Sequence, residues 1–150
     1  EMRLWKVVEK SKGEKMKTKS LHHICIQTEK YVESLEFYTE ILGFNVVKET
    51  KNFHNREFNT WLQLGSFMIE LQTAKPGDEL VKWSSLNEGP VHLCFLVENV
   101  FKEYEQIKEK GYSNFKNKNG QELYKVENRY LFKVKAPEGT EIEIRDDAKI

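Results

Sequence analysis

The chain has 150 residues, 39% of them hydrophobic and 12% aromatic, and its 24 basic and 24 acidic residues leave no net formal charge. This is one domain's worth of ordinary globular protein, and the even charge balance sets aside nucleic acid or a membrane surface as the main partner. No apolar run nears the roughly 20 residues of a membrane span, and two cysteines are too few for a disulfide scaffold, so Cys25 and Cys94 are read as reduced thiols of a cytoplasmic protein.

Residues 1–19 read as a basic extension, Lys-rich and without apolar periodicity after Val8, in which Leu4 to Val8 is a candidate added strand. Residues 1–15 are alternatively read as lying upstream of a natural start at Met16, because Lys12-Gly13-Glu14 can be encoded by AAAGGAGAA, which resembles a bacterial ribosome-binding site. Residues 20–150 read as a single domain made of two repeats, 20–73 and 90–146. Leu21 to Thr28 is β-like. Tyr31 to Leu42 then carries Val32, Leu35, Tyr38 and Ile41 or Leu42 at helical spacing, closed by Gly43. Phe44 to Thr50, about Phe53 to Leu64, and Phe67 to Thr73 follow as strands, the last two joined around Gly65-Ser66. A linker bounded by Pro76-Gly77 and Gly89-Pro90 leads to a second strand, Val91 to Val97. Val100 to Lys110 is a helix with Asn99 as its cap and Phe101, Tyr104 and Ile107 on one face. Tyr112 to Lys116, about Leu123 to Lys135 (continuous or interrupted), and Thr140 to Arg145 complete the unit.

The two halves repeat one another. His23-Ile24-Cys25-Ile26 matches His92-Leu93-Cys94-Phe95, and the segment from Gly65 to Leu71 matches that from Gly139 to Ile144, which pairs Glu70 with Glu143. The predicted fold is α+β, two βαβββ modules forming a curved mixed sheet cup with helices on the convex face. Strand alternation puts Ile24, Ile26, Ile69, Leu71, Leu93, Phe95, Ile142 and Ile144 on the face the helices cover. The opposite face carries His23, Glu70, His92 and Glu143, accompanied by Cys25, Gln27, Gln72, Cys94, Glu141 and Arg145. A lone strand His or an alternating Glu is usually structural. Matched placement in two halves argues instead for a joint site, and two imidazoles with two carboxylates suit a divalent transition metal. His22 is expected to point to the other face as a surface or supporting group, and His54 has no repeat mate and no assigned role.

His23 with Ile24, Cys25 and Ile26, then Ser34-Leu35-Glu36-Phe37-Tyr38, then Ile41-Leu42-Gly43-Phe44 resemble the opening of the glyoxalase and bleomycin-resistance domains of the vicinal oxygen chelate superfamily. Ile69-Glu70-Leu71, Val91-His92-Leu93 and Pro137-Glu138-Gly139 leading into Ile142-Glu143-Ile144 resemble its remaining motifs, so the likeness covers roughly Ser20 to Asp146. The resemblance implies His23, Glu70, His92 and Glu143 as metal ligands, one divalent ion per site (Ni, Co, Zn, Mn or Fe), and a homodimer with sites within one chain or between chains. Its ligand pattern looks most like bacterial-type glyoxalase I, a lyase that moves a proton through a metal-chelated enediolate on a hemithioacetal or other α-oxygenated carbonyl compound. Glu143 is then the first choice for the catalytic base, with Glu70 as the alternative or the group returning the proton. Gln27, Gln72, Arg145 and Trp61 are the substrate-binding candidates, Arg145 for a carboxylate unless it pairs with Glu141. The chain departs from the glutathione-dependent enzyme by having Gln27 and Ala74 where that enzyme has Arg and Asn. Alternatives are a metal-free binding protein of the resistance type with a groove of Trp61, Trp83 and Phe67, an acyl-CoA epimerase, or an Fe(II) extradiol dioxygenase of the same fold.

Overall fold

Each repeat builds its own four-stranded mixed sheet in the computed structural model, which describes residues 13–150. The strand read at Leu4 to Val8 lies outside those residues. The first module runs β1 (Ile24–Gln27), α1 (Tyr31–Glu36), β2 (Asn45–Phe53), β3 (Arg56–Leu64) and β4 (Phe67–Gln72), with strand order β1-β4-β3-β2. Its counterpart runs β5 (His92–Leu96), α2 (Val100–Glu109), β6 (Leu123–Val126), β7 (Arg129–Lys135) and β8 (Glu141–Arg145), in the order β5-β8-β7-β6. β1 is parallel to β4 and β5 to β8, because the helix carries the chain back before the later strand joins; the remaining pairs are antiparallel hairpins. Both sheets are open, and among the described residues β1 and β5 each leave one edge unpaired.

The alternation read from the sequence decides what is buried. Ile26, Ile69, Leu71, Ile142 and Ile144 lie in the core with Leu62, Phe132 and Val134, beneath Tyr31, Phe37, Tyr38, Val100 and Ile107 from the helical segments. The first helix continues past α1 into a π-helical turn, Phe37–Ile41, where Thr39 Oγ1 donates to the Leu35 carbonyl at 2.8 Å. Gly43 ends it at φ 88°, a conformation that a Cβ would oppose. Asn99 caps α2 by accepting from the Lys102 amide at 3.0 Å, and Asp146 accepts from the Val100 amide at 2.9 Å.

One expectation is corrected. Tyr112 to Lys116 forms no ladder strand; Phe115 makes a single bridge to Val134, while the Tyr112 hydroxyl and the Asn114 amide both donate to the Lys135 carbonyl. The interruption left open within Leu123 to Lys135 is a hairpin turn, because Glu127 (φ 48°) and Asn128 (φ 65°) adopt the left-handed conformations of a two-residue turn.

The modules are joined through α1 and an aromatic cluster. Phe95 packs edge-on to Phe44 and Phe67, with ring centroids 6.0 and 5.6 Å away. Ser34 Oγ and the Tyr38 hydroxyl donate to the two oxygens of Glu138, in the β7–β8 loop, at 2.8 and 3.0 Å. Burial, followed by the charge of Glu138, holds the Tyr38 phenol well above its ordinary pKa, so it stays a donor.

Candidate functional site

Parallel pairing places the last strand of each module beside its first, which brings each histidine to its glutamate. In the first module Cys25 pairs with Glu70, and His23 Nε2 lies 3.5 Å from Glu70 Oε2. The second repeats this: Cys94 pairs with Glu143, and His92 Nε2 lies 3.8 Å from Glu143 Oε2. Within one chain the four residues remain two separate pairs. No group of three or more His, Cys, Asp or Glu side chains among the described residues is placed to hold one ion. The donor chemistry of each pair still fits a metal: adjacent donors of an octahedral shell with bonds near 2.1 Å sit about 3 Å apart, close to both observed separations. Each pair supplies half of a four-donor set.

Other residues hold these groups in place. Asn59, fully buried on β3, donates its amide to Glu70 Oε1 at 2.8 Å. His22 does not turn away from the site. It precedes β1, so strand alternation does not govern it, and its Nδ1 lies 2.7 Å from His23 Nδ1. With His23 Nδ1 occupied, Nε2 is the nitrogen left facing Glu70. Trp61, opposite Glu70 on β3, packs edge-on against both imidazoles at 4.7 and 6.1 Å. Around Glu143 the surroundings differ: Lys133 is its partner on β7, and the Tyr124 phenol is pushed up by burial and by the charges of Glu143 and Glu141.

The remaining candidates fall into place around these pairs. Gln27 and Gln72 are register partners, and Gln27 Oε1 accepts from Arg56 Nη1 at 3.0 Å. Glu141 pairs with Lys116 at 3.3 Å, which leaves Arg145 without that partner, and Arg145 Nε is buried with no hydrogen bond among the described residues. Both thiols are free, and both are held protonated. Burial, then Glu70, pushes Cys25 up to about 11; burial, then a hydrogen bond to Glu143, pushes Cys94 up to about 12. The expected aromatic groove does not assemble: Phe67 faces the core against Phe44 and Phe95, away from Trp61. His54 lies in the β2–β3 turn at φ 47°. Asn59, Arg56 and Lys133 escaped the sequence reading because each depends on which residues face each other across strands. Only for Asn59 was there a signal, its place two residues before Trp61 on the same face.

Duplicated βαβββ modules with a helix-covered apolar face and a polar face of paired His and Glu define the class of the protein. The chain belongs to the Glyoxalase/Bleomycin resistance protein/Dioxygenase superfamily, whose family model matches residues 20–144. It is 35% identical over 98 residues to the uncharacterized protein YwkD of Bacillus subtilis (strain 168), covering 64% of this chain and 75% of that one. Its fold is that of a glyoxalase family protein from Enterococcus faecalis, with a TM-score of 0.68 at 23% identity over 87% of this chain and 100% of the other. Lactoylglutathione lyase from Agrobacterium tumefaciens aligns with a TM-score of 0.61 at 12% identity, over 87% of this chain and 96% of that enzyme, a likeness of fold.

Proposed function

We propose that the protein is a metal-dependent lyase or isomerase of the glyoxalase I type, acting on an α-oxygenated carbonyl compound or hemithioacetal. The observation that carries this reading is the duplicated contact of one imidazole with one carboxylate, His23 with Glu70 and His92 with Glu143, on the polar sheet faces. The ligands of one site are His23 and Glu70 of one copy with His92 and Glu143 of a second, so the functional unit is a homodimer with sites between chains. Two features support that division: the pairs are apart in a single chain, and β1 and β5 have edges unpaired among the described residues. A bound divalent transition metal (Ni, Co, Zn, Mn or Fe) would supply Lewis acidity to two vicinal substrate oxygens.

Chemistry beyond that belongs to side chains. Glu143 removes the proton from the carbon beside the carbonyl and returns it to the neighbouring carbon, so that no atom is gained or lost. Glu70, restrained by Asn59, serves as ligand, and is the alternative to Glu143 as the base. Arg145, whose Nε has no hydrogen bond among the described residues, receives a substrate oxygen near Glu143, while Trp61, Gln72 and Gln27 line the approach. Two free thiols fit a reducing compartment, the cytoplasm. No helix among the described residues is long and apolar enough to cross a membrane.

The test is elemental analysis combined with proton exchange. Purified protein is expected to carry stoichiometric metal that His92→Ala loses, and to exchange the α-proton of hemithioacetals in deuterated water. A protein with no metal that binds ligands without exchange would be a binding protein instead.

A further inference from the structure

The two modules give their glutamates different neighbours. Trp61 stands opposite Glu70 on β3, and Gln72 follows Glu70 by two residues on the same face of β4. The matching places in the second module hold charge: Lys133 stands opposite Glu143 on β7, and Arg145 follows Glu143 by two on β8. Residues opposed across a strand pair have Cβ atoms about 5 Å apart, and two residues along a strand span about 7 Å. Lys133 and Arg145 therefore flank the Glu143 carboxylate from two directions on one face.

Neither cation is neutralised. Lys133 and Arg145 form no ion pair among the described residues, and Arg145 Nε is buried there without an acceptor. Leu131, the register partner of Arg145, and Tyr124, the partner of Leu131, are both buried, yet strand parity sets them on the polar face, opposite to Phe132 and Val134. The other acid of this face, Glu141, is held by Lys116 at 3.3 Å and has Lys135 across from it. Burial and Glu143 raise the Cys94 thiol while Arg145 and Lys133 pull it down, so both charges bear on the place where β5 meets Glu143. With Glu143 committed as a ligand, this face carries an excess of positive charge, and half-buried cations without an anion are costly.

We infer that Lys133 and Arg145 form a seat for a phosphate group beside the second His–Glu pair, so that the substrate is a phosphate monoester of an α-hydroxycarbonyl compound. A phosphate monoester brings about −1.5 to −2 of charge at neutral pH and three acceptor oxygens, enough for an ammonium and a guanidinium together, whereas one carboxylate balances only one of them. The short spans from Glu143 place the phosphate one or two bonds from the reacting carbons, with Trp61 left for the uncharged end. As a substrate class this rests on the lyase reading; as a binding site the seat stands without it.

The test measures, by titration calorimetry, the binding of dihydroxyacetone phosphate, its singly charged monomethyl ester and neutral dihydroxyacetone. Affinity should fall in that order, by about tenfold at each step, the scale of one charge-assisted contact. Lys133→Gln and Arg145→Gln should each remove about one of these steps, and Lys133→Arg should keep both. Lys125→Gln, which removes an equal charge from above the Tyr130 ring, should leave the order intact. Equal binding of all three probes by the unaltered protein, or a preference undiminished in both Gln variants, overturns the seat. Should Arg145→Gln fail to fold, Lys133→Gln and Lys133→Arg carry the test. Phosphate preference without α-proton exchange in deuterated water keeps the seat and refutes the lyase; exchange on hemithioacetals without phosphate preference does the reverse.

Discussion

The two modules share a strand order and a histidine–glutamate contact, yet they treat the glutamate differently. Glu70 is fixed: Asn59 donates to one oxygen, His23 faces the other, and His22 and Trp61 brace that imidazole. Glu143 has His92 on one side and a thiol, a lysine and a phenol around it, with no amide locking its oxygens among the described residues. The first pair is thus held rigid, and the second is left free to change partners. A ligand must hold still, whereas a base must let go of one contact to take a proton. That difference is the physical reason for assigning proton transfer to Glu143.

The largest effect is expected where this assignment is tested directly. Glu143→Gln keeps the shape and removes the base, and should lower α-proton exchange by about 10² to 10⁴, the usual range for a positioned general base. Glu70→Gln should instead lower metal content, with exchange recovering in excess metal. Reversal of the two phenotypes, measured by elemental analysis beside exchange rates, would move the base into the first module.

Much of this was legible in the sequence, for a definite reason. The His-x-Cys motif and the Glu between two apolar residues sit on strands whose alternation has period two, so their faces follow from position alone. The order of elements followed from the repeat and from glycines that close helices. What could not be read was register. Whether Asn59 or Lys133 lies opposite a glutamate depends on hairpin turns, and the turn at Glu127-Asn128 contains neither Gly nor Pro to announce itself. Aromatic residues misled in the other direction: Phe67 looks like a groove residue by composition, but its strand parity places it with Ile69 and Leu71 in the core.

A smaller effect tests the bracing of the first pair. Asn59→Ala leaves a half-buried glutamate oxygen without its donor and frees that carboxylate, and should weaken metal binding by about 10- to 100-fold, as losing an outer-shell partner does. His22→Ala should act in the same direction through His23, and His22→Asn, which keeps a hydrogen-bonding group, should recover part of the loss. Competition against a fluorescent chelator reads these affinities directly. If Asn59→Ala binds metal as tightly as the parent, the amide is a fold contact and the contrast between modules loses its functional meaning.

The smallest expected difference separates the two cysteines. Both stand beside a glutamate, and both are raised above 9.0, Cys25 to about 11 and Cys94 to about 12, first by burial and then by that carboxylate. A raised thiol pKa in the folded state means that the native protein holds its proton longer than the unfolded chain. The associated stability is therefore full below pH 9 and declines as pH rises through 11 and 12. Thiolate, the species that alkylates, is scarce at both positions at pH 9 and scarcer at Cys94. Iodoacetamide labelling of metal-free protein, followed by mass spectrometry between pH 8 and 11, should modify Cys25 first and Cys94 more slowly. Because both thiols are exposed by surface area, equal fast labelling at pH 8 would show that the glutamates do not bear on them.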